Sequence, residues 1–530
     1  MNKRDIILSI LSGVLLVLIF PRFNIETLAW VALVPLLAAI RDKSAIHSLL
    51  LGWIAGGVYF FGLLIWVVNA MSNYGNLSLP LSYLLLMLMV ITLGFYIAIF
   101  TLLLNSISIR IKSDLIRWLS APLIWTSIEL VRERIPLIGF PWGSLGYSQF
   151  KTHSIVQFAD ITGVYGISFL IVLINSTIYL IIEDKWLESR VMDSQVKRRI
   201  SPYRIIIPSL IILILCISYG LWKINIHKSM PSMPSPTTSV RVGLIQGNIE
   251  QGQKWVPSYQ EKTFNIYKDM TLAASSKGMD MIIWPETAAP FYFQRDGRYQ
   301  QEIFDITKEG GSYLLFGSLS DKYYSDRVHM FNSAFLVSPD SKILGKYDKI
   351  HLVPFGEYVP FHRFLPFVDK MVEGGIGDFE EGNDYTVMTI PGGRFGVLIC
   401  YEVIFPDLVR RFVKNGAQFM VNITNDAWYG RSAAPYQHIS MVTFRAIENR
   451  VPIVRAANTG ISGIIDPTGR IVKETDIFVR TSIYGNISPK VTGDTFFTTY
   501  GDIFAYICLF MTMVLLLWER VFNFKEVILC

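Results

Sequence analysis

Charge is in short supply in this 530-residue chain: Asp, Glu, Lys and Arg make up 17% of it and apolar residues 52%, where a soluble domain carries about 25% charged residues. The shortage is uneven. It falls mainly before residue 223 and after residue 502, while the stretch between reads as an ordinary globular protein. A chain soluble throughout is therefore excluded, and the length allows two or three domains. Cysteine is scarce too. Cys216 and Cys508 lie in apolar runs, Cys530 is terminal, and Cys400 is the one thiol of the globular segment, which excludes a disulfide framework. Metal-ligand spacing, a phosphate-cradling glycine loop and a dinucleotide fingerprint are all missing, so no metal or cofactor is expected. The formal net charge is +6, but the basic residues cluster at the ends of apolar runs and no nucleic-acid motif accompanies them, so no nucleic-acid partner is expected.

What is abundant is apolar sequence in long runs. A membrane crossing needs roughly 20 apolar residues, and candidates lie at about 6–22, 26–41, 48–71, 78–104, 114–131, 163–183, 204–222 and 502–519, the second being short. Lys3 and Arg4 precede the first run as in a signal peptide, but no A-x-A-like cleavage site follows and further runs do, which makes it an anchor. Arg41 and Lys43 follow the second run; Arg110, Lys112 and Arg117 separate the fourth from the fifth. Lys185, Arg190, Lys197, Arg198, Arg199 and Arg204 lie between the sixth and seventh, whereas residues 72–78 contain no Lys or Arg. Loops alternate in charge, so both termini are expected in the cytoplasm and the block from about 224 to 501 on the outer side. One outer loop, residues 132–153, departs from the pattern. Its stretch GFPWGSLGYSQ, Gly139 to Gln149, reads either as an interfacial anchor or as a substrate contact.

The expected domains are a seven-helix membrane domain (1–223), a Pro/Ser-rich linker (224–239) containing KSMPSMPSPTTS, a globular domain (240–490), an eighth span (500–522) and a tail (523–530). In the globular part VRVGLIQGNI, MDMIIWPET, SYLLFGSL, NSAFLVSP, RFGVLICYE, AQFMVNITND and VPIVRAANTG read as strands. Stretches near 258–275 and 433–449 have helical apolar spacing. Strands and helices mixed in this way predict a layered α/β domain.

Three segments set a reactive side chain just after an apolar strand, where α/β sheets carry their functional groups. In MIIWPET, Glu286 follows Trp284 and Pro285; partial desolvation there suits a general base, although a solvated turn carboxylate has the same sequence. In GKYDKIHLVPFGEYVP, Lys349 precedes an apolar run and Glu357. A fixed ammonium can hold an oxyanion, and a surface lysine paired with Asp348 is the plainer alternative. In RFGVLICYEVIFP the strand delivers Cys400 at its end, the place of a nucleophile elbow. A buried structural thiol is the alternative, and His351 and His438 are available as partners for a Cys-His enzyme.

Glu286 in WPET, Lys349 in YDKIHLVPFGEYVP and Cys400 in ICYEVIFPDLVR resemble the Glu-Lys-Cys triad of the nitrilase superfamily in order and spacing. With QGNIEQGQKW, HLVPFGEYVP, NDAWYG, PYQH and GFPWGSLGYSQ, the resemblance narrows to the apolipoprotein N-acyltransferase family and covers essentially the whole chain. It implies a multi-span α-helical membrane domain plus an α/β nitrilase-like domain, an α-β-β-α sandwich facing the periplasm of a bacterial inner membrane. The implied reaction moves an acyl chain from a membrane phospholipid, through a Cys400 thioester, to the α-amine of a diacylated apolipoprotein. Glu286 would be the base and Lys349 the oxyanion clamp, with Glu357 in support. Trp255, Tyr401, Glu402, Trp428 and Trp142 would meet substrate, no cofactor is implied, and a monomer suffices. The segment after Glu357, with Phe361, Phe364, Leu365 and Phe367 and then Gly374, Gly375 and Gly377, suits a lid at the membrane surface. A membrane-anchored amidase with the same triad, and a transporter or scaffold whose outer domain only binds, are the competing classes.

Overall fold

A computed structural model describes residues 1–75, 77–110, 113–135, 139–190, 203–229, 239–323, 328–358, 379–491 and 493–528. Most of the linker and the whole expected lid lie outside the described residues. The chain divides into two compact units. One comprises Met1–Val68, Leu79–Ile224 and Asp502–Cys530, the other Asn69–Ser78 and Asn225–Gly501.

The first unit is helical, as its apolar runs require. Every candidate span falls on helix: Lys3–Leu18, Glu26–Trp30 with Val34–Ala39, Ala45–Leu64, Leu79–Arg110, Asp114–Arg134, Val164–Arg190, Tyr203–Ser229 and Ile503–Ile528. Among the described residues, four combine the length and composition of a membrane crossing: Ala45–Leu64, Leu79–Ile107, Val164–Lys185 and Tyr203–His227. The helix Lys3–Leu18 has only 16 residues, and Asp114–Arg134 carries Arg117, Glu129, Arg132, Glu133 and Arg134. The second run is not one helix. Its 3-10 turn and its six-residue helix are separated by a break with Pro35 just beyond, and the Asn175 side chain serves the backbone there, donating to Ala29 O at 2.8 Å and accepting from Leu33 N at 2.9 Å. A polar side chain standing in for a helical partner is what makes a break tolerable away from water. The third run also ends earlier than expected, at Leu64, and from Asn69 the chain belongs to the second unit.

Charged residues near the helix ends pair with one another. Glu183 binds Arg117 at 2.6 Å and Arg41 at 3.2 Å, and Lys43 binds Asp5 at 2.7 Å. The GFPW loop is fastened by polar groups: Glu129 accepts from Trp125 Nε1 at 2.8 Å and Leu145 N at 2.7 Å, Arg132 donates to Ser144 at 3.1 Å, and Tyr59 donates to Gly143 O at 2.7 Å. Trp142 lies inside this knot, 2% exposed, with ring centres 5.1 Å from Trp66 and 6.2 Å from Phe140. Trp142, a substrate-contact candidate from the sequence, thus packs its ring against Trp66 and Phe140.

The second unit holds two sheets. In the first the order is Thr481–Ile487, Val240–Gln246, Met281–Ile283, Tyr313–Tyr323, Val328–Val337 and Ile343–Asp348, with Ala289–Tyr292 also on Tyr313–Tyr323. In the second it is Ile471–Glu474, Gly463–Ile465, Ile453–Ala457, Phe419–Thr424, Gly393–Ile399 and Val387–Ile390. Each sheet has a central parallel triple: Met281–Ile283 between Val240–Gln246 and Tyr313–Tyr323, and Phe419–Thr424 between Gly393–Ile399 and Ile453–Ala457. The central strands Met281–Ile283 and Phe419–Thr424 are wholly buried, as parallel strands covered on both faces must be. Helices Pro257–Ser275 and Gly297–Gly310 pack Phe264, Tyr267, Tyr299 and Ile303 onto Trp284, Phe316 and Phe335 of the first sheet. The layered α/β domain is as expected, and Glu286 and Cys400 follow the carboxyl ends of parallel strands, whereas Lys349 follows the antiparallel edge strand Ile343–Asp348.

In the helical unit, Ala45–Leu64 and Leu79–Arg110 meet at Gly56 and Gly94, where a Cβ on Gly56 would stand 2.7 Å from Gly94 O and 2.8 Å from Gly94 Cα. Small residues allow this approach. Gly56→Val is expected to lower stability by about 1–3 kcal/mol through overpacking, read as a lower Tm in detergent; an unchanged Tm would show that the helices do not meet there.

Candidate active site

Cys400 follows directly on strand Gly393–Ile399 and opens the short 3-10 turn Cys400–Ile404, before helix Pro406–Lys414. Its φ is +55°, a left-handed conformation uncommon for a side chain other than glycine. Strain of this kind persists only where the surroundings impose it, and two buried networks do. Above the turn, Glu402 accepts from Ile399 N at 2.7 Å, Ile350 N at 2.7 Å, His351 N at 3.0 Å and Tyr347 OH at 2.7 Å. Below it, Asn422 donates to Leu398 O at 3.1 Å and Cys400 O at 3.4 Å. Arg455 holds Asn422 and binds Asp426 at 2.8 Å, while His438 Nδ1 lies 3.1 Å from Asp426.

Glu402 therefore joins the Cys400 turn to Tyr347 and to the segment after Lys349. Burial pushes its carboxyl up to about 7 against the pull of its donors. His438 is fully buried with Nδ1 3.1 Å from Asp426 and 3.0 Å from Arg455, and burial keeps its ring below the ordinary histidine value. Burial opposes ionisation of Asp426, yet Arg455 and His438 hold its carboxyl well below the usual carboxylate range. His351 stacks on Phe405 at 4.5 Å. Both histidine rings are thus engaged by groups other than the thiol.

Glu286 and Lys349 come together from opposite parts of the first sheet. Glu286 follows the parallel strand Met281–Ile283, and Lys349 follows strand Ile343–Asp348. Lys349 Nζ lies 2.9 and 2.8 Å from the two oxygens of Glu357 and 3.8 Å from Glu286 Oε1. Asn332 bridges the two carboxylates, donating at 2.8 Å to Glu286 and 2.9 Å to Glu357, and its carbonyl accepts from Lys349 N at 2.9 Å. Val353 N closes the set on Glu357 at 2.9 Å. Burial disfavours the charged form of Lys349, but Glu357 and Glu286 outweigh it and hold its amine well above the ordinary lysine value. It is a permanent cation. Cys400, 6% exposed, is driven the other way: burial and the Glu286 charge push its thiol up to about 12, with Lys349 pulling back. Cys400 thus rests as a thiol, and a thiol attacks a carbonyl only with a base to take its proton.

Tyr401 is buried beside Phe405, ring centres 5.1 Å apart. Trp255 is 46% exposed. Trp428 is half-buried; its carbonyl accepts from Asn69 at 3.1 Å and its ring meets Tyr74 edge-on at 5.4 Å, so a piece of chain lying between two membrane runs contributes to this unit. Sequence reasoning missed Asn332, Arg455 and Lys254. Asn332 was detectable as the polar interruption of the strand MFNSAFLV. Among the described residues no three His, Cys, Asp or Glu side chains are grouped as metal ligands.

Comparison with known proteins identifies two regions. Residues 241–495 match the carbon-nitrogen hydrolase family, and residues 12–177 match the apolipoprotein N-acyltransferase N-terminal domain. The apolipoprotein N-acyltransferase of Geobacter metallireducens is 42% identical over 96% of this chain and 93% of its own length. That of Coxiella burnetii is 31% identical over 92% of this chain and 95% of its own. Among solved structures, an amidase from Nesterenkonia sp. is similar at 18% identity and a TM-score of 0.37, over 49% of this chain and 95% of that one.

A thiol raised above its usual value carries little thiolate at neutral pH. Alkylation of Cys400 by iodoacetamide is expected to be slow at pH 7 and to climb about tenfold per pH unit up to pH 10; a plateau below pH 9 would show a preformed thiolate instead.

Proposed function

Because the chain belongs to the apolipoprotein N-acyltransferase family, we propose that it moves a fatty acyl chain from a membrane phospholipid, by way of a thioester on Cys400, to the α-amine of the diacylglyceryl-cysteine that begins an apolipoprotein. This is the last step of lipoprotein maturation. The observation that carries the reading is the permanent Lys349 cation set between Glu286 and Glu357 in the unit that presents Cys400 on a strained turn.

In the first half-reaction Glu286 takes the thiol proton as Cys400 Sγ attacks the ester carbonyl. Lys349 and a backbone N–H near Tyr401 hold the oxyanion. Collapse breaks the carbon–oxygen bond, and the lysophospholipid leaves with the proton from Glu286. In the second, the acceptor's neutral amine attacks the thioester carbonyl and Glu286 takes a proton from that nitrogen. The carbon–sulfur bond breaks, the proton returns to Sγ, and the amide departs. The order is ping-pong. Glu357 fixes Lys349, and Trp255, Tyr401, Glu402, Trp428 and Trp142 are the substrate-contact candidates.

The same reading gives the chain eight spans, both termini in the cytoplasm and the catalytic unit on the periplasmic side of a bacterial inner membrane, with a monomer sufficient. The shared Glu183 partners of Arg41 and Arg117 support this, because those residues stand at run ends that the charge pattern assigns to one side. Carrying out the exchange beside the bilayer also spares extraction of acyl chains, at about 0.8 kcal/mol per CH₂.

Purified protein given phospholipid and a diacylated lipopeptide is expected to yield N-acylated peptide and lysophospholipid in equal amounts. Cys400→Ala should yield neither, and Glu286→Gln should lose about 10²–10⁴-fold. Release of free fatty acid at a rate indifferent to the peptide would point to a hydrolase and overturn the assignment. A reporter fused after residue 528 is expected to report cytoplasm and one inserted at residue 239 the outer side; the reverse pair would refute the topology.

A further inference from the structure

The turn that carries Glu286 is strained and needs a hold from outside itself. Thr287, the next residue, has φ +45°, which for a β-branched side chain is a true outlier. The turn also presses on strand Tyr313–Tyr323, where a Cβ on Gly317 would come within 2.8 Å of Glu286 Cα. Lys254 supplies the hold from a distant part of the chain. Its Nζ donates to the Glu286 carbonyl at 3.0 Å and to the Thr287 hydroxyl.

This ammonium is 2% exposed, and both its acceptors are neutral oxygens of that one turn. A buried charge without a carboxylate partner opposes folding, so stability alone does not explain a lysine here. Burial pushes its amine down to about 8, with the Glu286 charge pulling the other way. The two buried lysines of the site therefore differ in kind. Lys349 is neutralised by carboxylates, whereas Lys254 spends its hydrogen bonds on backbone and hydroxyl.

We propose that Lys254 is a positioning residue for acyl transfer, clamping the Glu286–Thr287 turn so that the Glu286 carboxylate is aimed for proton transfer. The inference rests on the reading of Glu286 as the base. Its consequences differ from those of a merely structural lysine, because the clamp acts through one strained torsion that a glycine adopts unaided.

The test uses full-length enzyme in detergent, with single-turnover acylation of Cys400 by phospholipid followed by intact mass, and Tm as the control for folding. Lys254→Met is expected to slow acylation about 10²-fold, the scale of a small misplacement of a reacting group, with the phospholipid KM unchanged. Thr287→Val should slow it several-fold, and the double variant should be no slower than Lys254→Met, since both remove one clamp. Thr287→Gly placed on Lys254→Met should recover part of the rate. Wild-type acylation in Lys254→Met, or multiplicative losses in the double variant, would overturn the proposal. If Lys254→Met does not fold, Thr287→Val alone decides, and an unchanged rate there overturns it. Glu286→Gln separates the two levels: if it acylates at the wild-type rate, the reading of the base has failed; if it is inactive while Lys254→Met is normal, only the clamp has.

Discussion

A buried ammonium must be neutralised where it stands, and Lys349 is neutralised by two carboxylates that arrive from different segments. Much of the catalytic unit is arranged around that requirement. The Met281–Ile283 strand brings Glu286, the segment after Ile343–Asp348 brings Lys349 and Glu357, and Val328–Val337 supplies Asn332 as the bridge between the carboxylates. Removing one member of such a buried set leaves an uncompensated charge, at about 3–5 kcal/mol. The cluster is therefore as much a structural commitment as a chemical one.

The nucleophile depends on the same commitment through Glu402, which ties Ile399 N on one side to Ile350 and His351 N on the other. Cys400 and Lys349 are thus set in one frame by a carboxylate that faces neither. Beneath the turn, Asp426, Arg455 and His438 form a second, fully buried frame. Preorganisation of this kind lets charge develop at the reacting atoms without rearranging the surroundings. On the proposed mechanism, Glu286 is the one group that moves a proton, and the rest of the site holds still around it.

Much of this was legible in the sequence, for a physical reason. Glu286 and Cys400 follow apolar strands whose periodicity and turn residues mark where the strand stops, and Lys349 sits beside a Pro-bounded run. The apolar runs announced the helical unit in the same way. What stayed hidden were polar residues whose meaning lies in partners far along the chain: Asn332 lies 46 residues from Glu286 and Lys254 lies 32 from it. Glu402 was legible as important but not as a frame element, because its donors are backbone N–H groups that no pattern of side chains reveals. Trp142 read as an interfacial or substrate-facing ring, and the polar ties of Glu129, Arg132 and Tyr59 that pull its loop inward could not be read from the motif itself. The break in the second run had a visible cause, Pro35, but the Asn175 side chain that makes it tolerable is 142 residues away.

The central claim is that Cys400 carries the acyl chain between two lipids. Intact-mass analysis of the purified protein after exposure to phospholipid, with no acceptor added, tests it most directly. The account predicts a mass increase of one acyl group, removed by hydroxylamine and absent from Cys400→Ala. An unmodified protein that still acylates the lipopeptide, or an adduct that persists in Cys400→Ala, would contradict it.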